Sequence, residues 1–125
     1  MKKLLFILCL SFLFSCEKEN SDTVQVYLNP IESDFVLIDI PSHLRHKTIV
    51  GFEVKVSGNP RHGRMTIDLI ENKNLNLCGI EFYTNYNYIS KQLYYELSNE
   101  NEIYLLLKNN FEISPSLIEV NLFFI

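Results

Sequence analysis

The chain has 125 residues, 47% hydrophobic and 21% charged, with 11 basic against 15 acidic side chains and a formal charge of −4. That length allows one ordinary domain with one core, and the acidic balance argues against nucleic acid as a partner. Alanine and tryptophan are absent while 7 Tyr and 9 Phe are present, a composition that favours pleated strands over helices.

In chain order, the first element is a short export signal. Lys2 and Lys3 precede an apolar run from Leu4 to Phe14, and the small residue Ser15 stands before Cys16. The run is about half the roughly 20 residues a transmembrane helix needs, so it reads as a signal core and not a span. Leu13-Phe14-Ser15-Cys16 resembles the lipobox of bacterial lipoproteins, in which an apolar residue at minus three and a small one at minus one precede an invariant cysteine. Phe14 departs from that pattern, which usually has a small residue there. The resemblance implies cleavage after Ser15 and acylation of Cys16 through its sulfur and its amine, with palmitate among the chains. Two or three such chains anchor a protein stably to a membrane. Glu17 follows the cysteine where an aspartate resembles an inner-membrane retention signal, which implies delivery to the outer membrane, facing the periplasm or the cell surface.

The expected division is therefore a signal peptide at 1–15, a lipidated cysteine and polar tether at 16–22, and one domain at 23–125. Removing Lys2 and Lys3 with the signal leaves 9 basic residues against 15 acidic ones, near −6. Of three cysteines, Cys9 leaves with the signal and Cys16 takes lipid, so Cys78 has no partner for a disulfide. Flanked by Leu77 and Gly79, Cys78 is expected to be a buried, inert thiol.

Eight segments with strand character follow, separated by Pro, Gly, Asn and Ser signals. Weaker ones cover Thr23 to Leu28, Phe35 to Ile40 and Cys78 to Thr84. The clearest alternate strictly: Phe52, Val54 and Val56 share one face while Glu53, Lys55 and Ser57 share the other, and Met65, Ile67 and Leu69 repeat the pattern. Gly58-Asn59-Pro60-Arg61-His62-Gly63 between these two is rich in turn residues, so they are expected to pair as a hairpin. A second hairpin is expected where Leu93, Tyr95 and Leu97 alternate, Ser98 to Asn101 turns, and Ile103, Leu105 and Leu107 alternate back. Ile118, Val120, Leu122 and Phe124 close the chain. The pattern predicts an all-β, antiparallel, two-sheet sandwich. The strong last strand returning to the core resembles the jelly-roll sandwiches common in exported carbohydrate-binding modules, with an immunoglobulin-like sandwich as the alternative.

Two constellations stand out as candidate sites. All three histidines and all three arginines fall between His43 and Arg64. His43, Arg45 and His46 lie at one end of the strand from Thr48 to Ser57, and Arg61, His62 and Arg64 at the other. Ten residues at about 3.3 Å each keep the groups apart, so no metal site is expected, and Arg61 and Arg64 are candidates for contacting an anion or an acidic partner. In Tyr83-Thr84-Asn85-Tyr86-Asn87-Tyr88, rings alternate with amides; tyrosine faces stack on sugar rings, and asparagine offers a donor and an acceptor to hydroxyls. Tyr83, Asn85, Tyr86, Asn87 and Tyr88 are therefore ligand-binding candidates, in a pattern that protein-binding loops share.

No serine elbow, cysteine–histidine pair, phosphate loop or metal box is legible. Asp34, Asp39, Asp68 and Glu81 supply carboxylates without a spacing that selects a pair. The expectation is a non-catalytic binding domain without cofactor, held to a membrane through lipid on Cys16, with glycan as the favoured ligand. The alternative is a protein-interaction lipoprotein of the immunity or inhibitor kind.

Overall fold

A computed structural model describes residues 22–30, 33–83 and 86–125. Eight strands form: β1 (Thr23–Leu28), β2 (Asp34–Leu37), β3 (Thr48–Ser57), β4 (Met65–Glu71), β5 (Leu75–Phe82), β6 (Tyr88–Glu96), β7 (Ile103–Asn109) and β8 (Leu117–Phe124). A single 3₁₀ turn, Ser42–Leu44, is the only helical piece among the described residues. The strands make two antiparallel sheets of four, ordered β1-β8-β3-β6 (sheet one) and β2-β7-β4-β5 (sheet two), stacked as an open sandwich and not closed into a barrel. This is the jelly-roll arrangement. The immunoglobulin order, which groups strands 1, 2, 4 and 5 against 3, 6 and 7, does not form.

The core lies where the inward faces meet. Phe52, Val54 and Val56 from β3 and Ile118, Val120, Leu122 and Phe124 from β8 face Met65, Ile67 and Leu69 from β4 and Ile103, Leu105 and Leu107 from β7, all buried. Ile49 is also fully buried although it is three residues before Phe52, a spacing that strict alternation forbids. Ile49 pairs with Phe124 while Gly51 pairs with Phe123, so Val50 is an extra residue, a β-bulge that returns both side chains to the core.

Both expected hairpins prove wrong. β3 lies in sheet one and β4 in sheet two, and the same division separates β6 from β7. Alternation states which side chains turn inward but not which sheet carries them, and a connection of several residues can cross the about 10 Å between stacked sheets as well as turn within one. The 58–64 segment crosses with Gly58 and His62 in the left-handed region at φ 94° and 62°. Arg61 bridges to Ile113, and Asn110 N–H donates to Arg64 O, tying the crossing to the segment after β7. The one hairpin between chain neighbours joins β4 to β5. Its central residues, Asn72 (φ 52°) and Lys73 (φ 73°), make a turn of type I′, closed by Asn74 N–H donating to Glu71 O. Without a glycine the turn was invisible to sequence reading, and β5 accordingly starts at Leu75, ahead of the expected Cys78. β6 begins at Tyr88, well before Leu93.

Cys78 forms no disulfide and is half-buried, not fully buried as expected. Burial pushes its thiol up, and nearby Lys91 opposes this more weakly, so the protonated, unreactive form dominates at neutral pH. Lys91 pairs with Phe52 and so occupies the inward side of the edge strand β6, where an exposed charge discourages pairing with another sheet.

At the opposite end from the 58–64 crossing, a polar clasp joins the sheets. The Tyr95 hydroxyl on β6 accepts from Asn101 Nδ2 with the Glu71 carboxylate of β4 nearby, while Arg45 Nη1 donates to Asn101 O at 2.6 Å. Burial and then the Glu71 carboxylate push the Tyr95 phenol up to about 12 from 10. The folded state thus holds the neutral phenol: its stabilisation is complete below the unfolded value of 10 and is lost as pH rises through 12. Urea denaturation across that window should show wild type losing more stability than Tyr95→Phe, which has no phenol proton to lose.

Candidate functional site

The sequence candidates divide between two places. Cys16 and Asn85 lie outside the described residues. Arg61, Arg64, Tyr83, Tyr86 and Asn87 gather at the end of the sandwich where the 58–64 crossing and the β5–β6 connection meet. Arg64 Nη1 contacts Glu81 Oε2 at 3.1 Å, and Glu81 Oε1 accepts from the Tyr83 hydroxyl at 2.8 Å. The Tyr83 and Tyr86 rings meet edge to face with centroids 6.2 Å apart. Two features far apart in the sequence thus form one aromatic and charged cluster, with Glu81 as the link. Asn87 contributes its backbone, its carbonyl accepting from Val56 N–H at 2.9 Å. Arg61 is engaged through its backbone with Ile113, and His43 and His46 lie at the far end of β3. Among the described residues no three His, Cys, Asp or Glu side chains are placed to hold a metal ion.

Tyr88 is the exception. It is expected in the loop, but it opens β6 and points from the outer face of sheet one, donating its hydroxyl to Glu53 Oε2 at 2.7 Å. It leads to a set of residues that sequence reading did not single out. The strand registers place Tyr27, Glu119, Lys55 and Tyr88 side by side across β1, β8, β3 and β6, with Gln25, Asn121, Glu53 and Ser90 in the adjacent row. Hydrogen bonds join the rows. Asn121 Nδ2 donates to Glu53 Oε1 at 2.9 Å and to Glu119 Oε2 at 3.0 Å, and Gln25 Nε2 donates to Glu119 Oε2 at 3.0 Å. Tyr27 donates its hydroxyl to Gln25 Oε1 at 3.2 Å, and Lys55 Nζ stands 3.9 Å from Glu119 Oε2.

The electrostatics of this face follow from its centre. Asn121, at 5% exposure, is the one buried polar side chain among the described residues. Its amide nitrogen stands between the carboxylates of Glu53 on β3 and Glu119 on β8 and donates to both. Around this fixed centre stand two half-exposed rings, Tyr27 at 58% and Tyr88 at 50%. Each ring is tethered by its hydroxyl to a neighbour on the same face. A rigid polar centre between aromatic surfaces can stack on a flat, partly apolar ligand while exchanging hydrogen bonds with its hydroxyls.

The signal for this face was legible one strand at a time, as the outward members of alternating pairs. Only the strand order makes neighbours of β1, β8, β3 and β6. No family model matches the chain, and no curated protein matches it.

Replacing Asn121 with Leu keeps the branched shape but removes the donor between Glu53 and Glu119. Denaturant unfolding should show a loss of about 1–3 kcal/mol, larger at low salt than at high salt because the half-buried carboxylates then repel with less screening.

Proposed function

We propose that this chain is a lipid-anchored, non-catalytic binding domain whose ligand is a glycan. The observation that carries the reading is the outer face of sheet one. There a network of two carboxylates, two side-chain amides and an ammonium is flanked by the half-exposed rings of Tyr27 and Tyr88. Sugars present hydroxyls around a ring whose face is largely apolar, and this face offers the complement of both. The cluster of Arg64, Glu81, Tyr83 and Tyr86 at the sandwich end adds a further aromatic and charged surface beside the start of β6.

The anchor is the second part of the proposal and rests on the amino-terminal sequence, with Cys16 carrying lipid at the outer membrane. Cells fed labelled palmitate should incorporate it into the wild-type chain and not into Cys16→Ser, which should also leave the membrane fraction. Labelling that survives the substitution would refute the anchor.

A glycan array probed with the full-length protein in detergent should show carbohydrate-dependent capture that Tyr88→Ala weakens about tenfold, the loss of one stacking ring and its hydrogen bond. The second reading, a protein-interaction lipoprotein of the immunity or inhibitor kind, is favoured by the other outer face. There Phe35 stacks on Tyr104 with centroids 4.6 Å apart, beside the half-exposed Leu37. An array on which no carbohydrate is retained, together with a protein crosslink on intact cells that Leu37→Glu abolishes, would replace the first reading with the second.

A further inference from the structure

The outer face of sheet one has a geometry that restricts what kind of glycan it can hold. Tyr27 and Tyr88 stand in the same cross-strand row, on the two edge strands β1 and β6. Three interstrand spacings separate them, or about 14 Å. Between them the same row presents Glu119 and Lys55, and the adjacent row presents Gln25 and Glu53 on either side of the buried Asn121. A 1,4-linked pyranose chain advances by roughly one interstrand spacing per residue, so a chain laid across the strands meets a new side chain with each sugar.

Charge narrows the ligand further. The face carries the carboxylates of Glu53 and Glu119 against the single ammonium of Lys55, which is already turned toward Glu119. A uronate or sialate laid along that row would bring its own carboxylate against this excess of negative charge, which an uncharged sugar avoids. Carboxylate oxygens hold two lone pairs each, so the two glutamates can accept hydroxyl protons from a ligand while keeping their bonds to Asn121, Gln25 and Tyr88. These acceptors are fixed before the ligand arrives, which lowers the entropy cost of binding.

We propose that the outer face of sheet one binds an uncharged oligosaccharide of about four or more sugar residues, laid across the strands with its ends stacked on Tyr27 and Tyr88. This rests on the glycan reading of the same face and adds to it the direction, length and charge of the ligand.

The test titrates the full-length protein in detergent by calorimetry. The probes are cello- and chito-oligosaccharides of one to six residues, oligogalacturonates of matched length, and any uncharged glycan the array retains. Affinity for the uncharged series should rise steeply up to about four residues and then level, as the ligand comes to span both rings. Tyr27→Ala and Tyr88→Ala should each cost about tenfold for a tetramer and far less for a monomer. Tyr27→Phe, which keeps the ring and loses only the tether to Gln25, should retain most of the affinity, and this separates stacking from a merely structural role. Circular dichroism establishes that each variant folds.

Affinity that does not depend on length, a preference for oligogalacturonate, or indifference to Tyr27→Ala with a glycan still bound would each overturn this proposal while leaving the glycan reading standing. Failure to bind any probe or array glycan would overturn both.

Discussion

Six of the seven connections between the eight described strands cross from one sheet to the other, and among these strands only β4 and β5 are neighbours both in sequence and in a sheet. Almost every hydrogen-bonded ladder therefore joins segments distant along the chain, such as β1 with β8 and β3 with β8. What holds these distant strands in place is the apposition of two apolar faces, since neither sheet can bury Phe52, Val120, Ile67 or Leu105 without the other. The single local hairpin, turning at Asn72 and Lys73, is too small to be stable alone. Folding of this topology closes long loops before their contacts repay the entropy, which places it among the slower small domains.

The same constraint creates the outer face of sheet one. Alternation forces every second residue of a core strand outward, so each inward Val or Ile on β1, β3 and β8 has an outward neighbour whose identity the core does not dictate. On β1 these are Gln25 and Tyr27, on β3 Glu53 and Lys55, and on β8 Glu119 and Asn121. Because β8 is clamped between β1 and β3, its outward Asn121 is shielded by neighbours on both sides and becomes the buried hub of the network. A polar group so placed needs its partners, and Glu53 and Glu119 supply them. The preorganised surface of sheet one is thus a by-product of burying its other side.

The two ends of the sandwich differ in the same spirit. At one end Tyr95, Glu71, Asn101 and Arg45 tie crossing segments together through partly buried polar contacts, leaving few groups to address a ligand. At the other, the 58–64 crossing and the β5–β6 connection bring Arg64, Glu81, Tyr83 and Tyr86 to the surface in mutual contact. Aromatic rings accumulate at this end and on the adjoining outer face, the side on which Tyr88 leads from the loop into β6.

How much of this could be read in the sequence follows from the range of each interaction. The strand class, the inward residues of β3, β4, β7 and β8, and the limits of β1 were legible because side-chain direction in a strand is local and has a period of two. The Tyr83 and Tyr86 candidates were visible for a similar reason, as an unusual run of residue types. The Val50 bulge, the glycine-free turn at Asn72 and Lys73, and the link from Arg64 through Glu81 to Tyr83 were not, since each depends on a partner strand. The lipoprotein signal proposed for the amino-terminal lysines, apolar run and Cys16 is of a kind that is read as linear sequence. Which sheet each strand joins, and hence that Tyr27 and Tyr88 flank Asn121 on one face, was decided by tertiary structure alone. A strand's alternation fixes only which side faces the core, while its neighbours are chosen by the packing of the two sheets together.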